Sequence, residues 1–390
     1  MKIVIITPRV PEILDKGDKL RIFYQIKYLS ISNDIHLISL SSSKNARINK
    51  ELKKYIKSFH LIHKSKISRL FNLIYHSIIN KLPIQISYYY SKKSHKEINE
   101  VIDLIKPEFI YCQLIRTAEF IKKRNEKKLI DYMDCFSLGL LRRSKKSNIL
   151  MKLILLFEYK RVKEYETNIF NYFENHTIIS KYDRDYINHI NNKNISIVEN
   201  GIETDYFKRK NDTYKKNTII FVGNMSYRPN VLAAKFICEE IFPLVLKKEK
   251  NTKVIIAGSN PNKEVRKLSK LNKKIKITGF VEDIRDAYEK GTVFVAPMFI
   301  GSGLQNKLLE AMSMKIPCIT TKTANKSLNA SEKEILIAND KDEFANYCIE
   351  LFNNKEKNLN LIKNGFKFVK TKFNWKKSTD KLNKIFRQWH

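Results

Sequence analysis

The sequence predicts an α/β protein of two parallel-sheet domains in series, each sheet covered on both faces by helices. Three observations predict it. The chain has 390 residues, more than one typical core holds, so two domains are expected. Short apolar runs alternate with amphipathic stretches along nearly the whole chain, and such alternation means crossover connections between parallel strands. In the second half, glycine turns follow the apolar runs repeatedly, which is where α/β sheets place ligands.

The first half reads as strands at 3–7, 35–40, 60–63, 109–114, 129–133 and 176–180, with amphipathic stretches between most of them. A Rossmann-like domain is the natural product of that order. After the first strand, Gly17 stands near the start of a helix expected over 20–30, either as a plain turn glycine or as the place where a ligand approaches the backbone. Another strand, 195–198, ends in a turn, and a polar run over 208–217 is the expected domain boundary. The second half starts again with a strand at 218–222 followed by Gly223 and Asn224. Pro229 suits the first turn of a helix running to Lys248. Strands follow at 253–257 and 275–278, and Asp283 is placed to cap the helix 284–290. Strands at 318–321 and 335–338 close the second sheet, and helices are expected at 342–353, 359–371 and 375–389.

The segment 293–314 concentrates the chemistry. A β-branched and aromatic run from Val293 to Val295 is closed by Pro297, then Gly301 and Gly303 form a loop. A helical pattern follows in which Leu308, Leu309, Ala311 and Met312 make one apolar face. Asn306, Lys307 and Glu310 fall on or beside the exposed face. Strand, glycine loop and helix start together offer free N–H groups and a positive helix end to a phosphorylated ligand. On glycines alone, an ordinary strand-to-helix junction with a flexible loop is the expected reading.

Composition narrows the partners. Lysine and arginine number 74 against 40 acidic residues, a formal charge of +34, which favours anionic surfaces and acidic or phosphorylated ligands. The stretch 44–96 is rich in lysine with almost no acid beyond Glu51, and aliphatic and aromatic residues recur in it at helical spacing from Leu70 to Ile79. A second basic stretch, Arg142 to Lys146, runs into the apolar segment 149–157. Each segment reads either as a helix lying on an anionic membrane surface or as one core face and one solvated face. The basic residues follow no nucleic-acid recognition motif, so no specific nucleic acid is expected. The 5 cysteines have no paired spacing and read as buried thiols in a reducing compartment. No apolar run reaches the ~18 residues that span a bilayer, and the first residues read as a buried strand rather than a signal peptide. The expected location is the cytoplasm, with peripheral contact to the inner face of the cell membrane.

Four motifs in order, 198–207, 221–230, 279–283 and 296–312, resemble glycosyltransferase family 4. The N-terminal 16–21, together with 131–134, Ser137 and Arg142-Arg143, resembles its bacterial polysaccharide-type members. The resemblance implies the GT-B architecture: two Rossmann-like domains facing across a cleft. It places an acceptor domain at 1–207, a nucleotide-sugar domain at 208–371 and a last helix, 372–390, packing back onto the first domain. It implies transfer of a sugar from a nucleotide-diphosphate donor to a lipid-linked or saccharide acceptor, with retention, no cofactor and no metal. By resemblance, Glu310 holds the ribose hydroxyls, and Gly301, Ser302, Gly303 and Lys307 sit at the diphosphate. Gly223, Asn224 and Arg228 flank the phosphates, Phe280 and Val281 border the base, and Gly17 admits the sugar phosphate. Lys307 and Arg228 supply positive charge for the departing diphosphate, and Asp134 is the candidate proton acceptor. The sequence departs from the family pattern at Ser302, where a glutamate is common, at Asn224, where many members have arginine, and at Gln113, where many have histidine. A nucleotide-sugar epimerase on the same fold and a non-catalytic polyanion-binding protein are the alternative expectations.

Overall fold

The computed structural model describes residues 1–390 except 15, 80, 146, 211–216, 301–303 and 389–390. It divides into two compact units, Met1–Glu199 with Trp375–His390, and Asn200–Asn374. The first division falls ahead of the polar run 208–217, because Ile202 packs in the second unit's core and its N–H bonds the Phe373 carbonyl at 2.8 Å.

In the first unit, β1 (Lys2–Thr7), β2 (Asp34–Ser41), β3 (Ser58–His63), β4 (Phe109–Gln113), β5 (Lys127–Asp131), β6 (Asn175–Ile178) and β7 (Ser196–Ile197) form one sheet in the order β3-β2-β1-β4-β5-β6-β7. All pairings are parallel. β1 is buried from Ile3 to Thr7, as expected of a strand covered on both faces. One face packs Val4, Ile6, Ile110 and Ile130; the other packs Ile3, Ile5, Phe109 and Tyr111. The helix Trp375–Arg387 completes this second face: Phe386 meets Phe109 edge-on at 4.6 Å, and Trp375 stacks on Tyr24 at 5.0 Å. The C-terminal helix therefore packs on the first sheet, as the resemblance implied.

The second unit holds β8 (Thr218–Val222), β9 (Lys253–Ala257), β10 (Ile275–Ile277), β11 (Val293–Ala296), β12 (Cys318–Thr320) and β13 (Leu336–Ile337), ordered β10-β9-β8-β11-β12-β13 and again all parallel. The single helix expected from Pro229 to Lys248 is instead two, Arg228–Phe236 and Phe242–Lys248, joined by a π-helical turn over Ile237–Ile241. Pro243 explains the interruption. It has no N–H to donate and its ring crowds the preceding turn, so the chain widens there, with the Phe242 N–H reaching back to the Ile237 carbonyl. All five cysteines are buried and free. Among the described residues no helix is long and apolar enough to cross a membrane.

Candidate functional site

Each sheet reverses strand order at one place, between β1 and β4 in the first unit and between β8 and β11 in the second. Loops diverge there at the carboxyl ends of the strands and leave a crevice. Gly17 follows β1, Gly223 follows β8, and Lys307 and Glu310 lie on the helix after β11, strands that meet at these two places.

In the second unit the edge is built from glycine backbone. Gly223 follows β8, Gly258 follows β9 and Gly279 lies just past β10; Gly223 donates to the Ala257 carbonyl and Gly258 to the Gly279 carbonyl, each at 3.0 Å. A Cβ on Gly258 would lie 1.8 Å from the Gly223 carbonyl oxygen, and its φ of +134° is closed to other residues. A Cβ on Gly223 would meet the Asn230 side chain at 2.6 Å. Gly258→Ala is therefore expected to lower the unfolding free energy of this unit by at least about 2 kcal/mol. Denaturant titration followed by near-UV circular dichroism measures it, and a loss within about 0.5 kcal/mol would show that the strand ends can part freely.

Lys307 and Glu310 stand on the helix Asn306–Ser313, half-buried rather than on a solvated face. The Lys307 ammonium donates to Asn230 Oδ1 and lies 4.7 Å over the Phe221 ring. Asn230 is itself fixed, its Nδ2 donating to the Asn224 carbonyl at 2.9 Å. Burial pushes the Lys307 amine down to about 7, only partly offset by Glu310. The Glu310 carboxyl is pushed up by burial, against the pull of a hydrogen bond from Tyr288 Oη at 2.7 Å and of Lys307. Asn306 joins the group through Asn200, whose Nδ2 reaches its Oδ1 at 3.3 Å. The result is a lysine held by a neutral amide and a carboxylate anchored at one oxygen, at the start of a helix. A cation and free backbone N–H groups suit a phosphate, and a carboxylate suits paired hydroxyls.

The other sequence-derived residues divide. Asn224 folds on itself, its Oδ1 accepting from the Ser226 N–H at 3.0 Å and hydroxyl at 2.7 Å. Arg228 starts its helix but is exposed and paired with Glu264 at 2.9 Å. Val281 packs against the core, whereas Phe280 is 76% exposed. Gly301, Ser302 and Gly303 lie outside the described residues.

In the first unit, Gly17 opens the helix Gly17–Leu29, and a Cβ there would meet nothing within 4 Å. The two N-terminal motifs are tied together by a buried ion pair. Arg21 Nε and Nη2 grip Asp131 at 2.7 and 3.0 Å, both side chains being 0% exposed. Tyr111 at 2.9 Å and Thr177 at 2.9 Å complete the carboxylate's partners. Asp134, three residues on, has a buried Oδ1 without a hydrogen-bond partner. Burial, then the neighbouring Asp183, push its carboxyl up to about 7. Two residues at this edge take positive φ without being glycine, Leu114 at 66° and Met133 at 60°. Such backbone collects at functional sites. Gln113, between them in the fold, bonds the Asp18 carbonyl at 2.7 Å.

Sequence reasoning missed Asn230, Tyr288, Asp183 and the pairing of Arg21 with Asp131. Only Asn230 carried a local sign, its place at a helix start two residues after Arg228. Among the described residues no cluster of three or more metal-ligating side chains occurs.

Residues 216–354 match the model of the family described as Glycosyl transferases group 1. The 44.6 kDa protein in the cps region of Klebsiella pneumoniae is 21% identical over 393 residues, covering 96% of this chain and 97% of that protein. Among solved structures, sucrose-phosphate synthase from Thermosynechococcus elongatus superimposes with a TM-score of 0.74 at 13% identity, covering 100% of this chain and 99% of that one. Anabaena Alr3699/HepE in complex with UDP and glucose does so with a TM-score of 0.68 at 11% identity, over 98% of this chain and 99% of that one. The architecture is thus the GT-B fold, and residues 216–354, within the second unit, match the domain model of the group 1 glycosyltransferases.

Proposed function

We propose that the chain transfers a sugar, with retention, from a nucleoside-diphosphate sugar to a lipid-linked or polysaccharide acceptor, without a metal. The observation that carries this is the Lys307–Asn230–Tyr288–Glu310 group at the switch point of the second sheet, inside the matched domain. Glu310 would accept hydrogen bonds from the ribose hydroxyls. Lys307 and the free N–H groups of the 306–313 helix would neutralise the diphosphate. The bond from the anomeric carbon to the diphosphate oxygen breaks, and its electron pair leaves with the diphosphate. The acceptor oxygen bonds that carbon on the same face and releases its proton. Asp134 is the candidate to receive it, since a carboxyl held at about 7 is poised between its two states at neutral pH. The bound UDP of the Anabaena neighbour supports a nucleoside-diphosphate donor, and the cps-region relative supports a polysaccharide precursor as acceptor.

Glu310→Ala is expected to weaken donor binding by about 30- to 100-fold, the loss of a hydrogen bond to a charged group. Calorimetric titration with a panel of nucleoside diphosphates and their sugars measures it, and undiminished affinity would sink the assignment. Product analysis with donor alone separates transfer from epimerisation, because an epimerase converts the donor with no acceptor present.

A further inference from the structure

Two helices of the first unit present apolar side chains to water. On the helix Lys66–Ile78, Ile67, Leu70, Phe71, Ile74 and Ile78 are all more than half exposed, Phe71 at 70%, and among the side chains described there only His76 is buried. On the helix Ile149–Phe170, the first three turns do the same, with Ile149 81%, Leu153 62% and Phe157 62% exposed. The two faces adjoin. Ile78 and Phe157 share the wall of a cavity of about 540 Å³, and Arg161 Nη2 donates to the Ser77 carbonyl at 2.8 Å. Apolar surface this continuous marks an interaction site.

Its surroundings are cationic. Along the neighbouring stripe of the 66–78 helix opens a pocket of about 450 Å³ whose wall includes His63, Lys64, His76, Lys92 and Lys93 and no carboxylate. Lys92 and Lys93 are exposed, as are Arg143, Lys145 and Lys152 around the start of the second helix. Tyr75 belongs to both features, lining the pocket while 45% exposed beside the apolar stripe. Charge decides the occupant. A second copy laid on this face would set the same lysines against one another, since a two-fold interface is self-facing.

We propose that this face docks on an anionic phospholipid bilayer, the apolar side chains of both helices entering the boundary below the headgroups and the basic pocket holding a lipid phosphate. The proposal rests on the first unit alone and stands or falls apart from the donor site.

Co-sedimentation of the full chain with vesicles of phosphatidylcholine, alone or mixed with phosphatidylglycerol, tests it. Binding to the anionic vesicles is expected to be at least about tenfold tighter, and Lys92→Glu with Lys93→Glu is expected to weaken it by about tenfold or more. Phe71→Ser with Ile74→Ser is expected to abolish binding, with an unchanged melting temperature showing that these exposed positions leave the fold intact. Equal partition into both vesicles, or undiminished binding by either double variant, overturns the proposal. So does a dimer by light scattering that Phe71→Ser with Ile74→Ser dissolves while vesicles capture nothing. Inorganic phosphate that raises the melting temperature of the parent but not of the lysine variant, again without vesicle binding, assigns the pocket to a soluble anion instead.

Discussion

Replacing Lys307 by methionine is expected to slow sugar transfer by about 10²- to 10³-fold, the range seen when one preorganised donor to a developing negative charge is lost. Methionine keeps the volume, so the core contacts of Leu308 and Leu309 beside it are undisturbed. The group left behind is Asn230 Oδ1, a neutral acceptor whose amide still donates to the Asn224 carbonyl. Burial holds the Lys307 amine down at about 7, so the folded chain resists charging it. The unfolded chain takes the proton below about 10.5. That mismatch costs stability, growing as pH falls from about 10.5 towards 7 and constant below. The variant escapes this cost, so its melting temperature at pH 7 is expected to equal or exceed the parent's. A slow enzyme of full stability places Lys307 at the reacting diphosphate; unchanged turnover removes it from there.

The same displacement gives a signal on binding. A diphosphate beside the amine favours its charged form, so a donor entering at pH 8 is expected to bring a proton with it. The calorimetric enthalpy then depends on the ionisation enthalpy of the buffer at pH 8 and loses that dependence at pH 6, where Lys307 is already charged. Lys307→Met should show neither effect. A buffer dependence that persists in the variant belongs to another group.

The fold was legible because strands buried on both faces must be near-continuous apolar runs, and Ile3–Ile6, Ile219–Val222 and Val293–Ala296 are such runs in the sequence and buried in the structure. Boundaries slipped where local chemistry competed, as at Pro243, whose missing N–H breaks a helix that apolar periodicity alone makes continuous. Lys307 and Glu310 were legible because they share one helix and one motif. Their partners were not: Tyr288 and Asn230 reach them from other elements, and nothing local in Tyr288 separates a core tyrosine from a carboxylate's anchor. The helix 66–78 shows the opposite limit. Its spacing fits a core face as well as a membrane face, and only the exposure of Phe71 and Ile74 shows that this face is not core.

Arg21→Met is expected to lower the unfolding free energy of the first unit by about 3–5 kcal/mol, because it strands a buried carboxylate. Asp131 is 0% exposed and holds two contacts from the guanidinium. Tyr111 and Thr177 still donate to it, but hydroxyl dipoles do not replace a positive charge in a dry site. The pair also sets position. Arg21 lies on the helix that Gly17 opens and Asp131 ends β5 just before Asp134, while Arg21 Nη1 bonds the Val198 carbonyl at 2.9 Å, where the first unit gives way to the second. Losing it should loosen both motifs together. Arg21→Met combined with Asp131→Leu removes both charges, and is expected to recover much of the lost stability, since buried ion pairs exchange for apolar residues at little cost. Catalysis should not recover with it if the pair's purpose is to hold Asp134 and Gly17 in register. Denaturant titrations of the three proteins, with transfer rates for each, separate the two roles. Stability and rate returning together would make the pair a matter of packing alone.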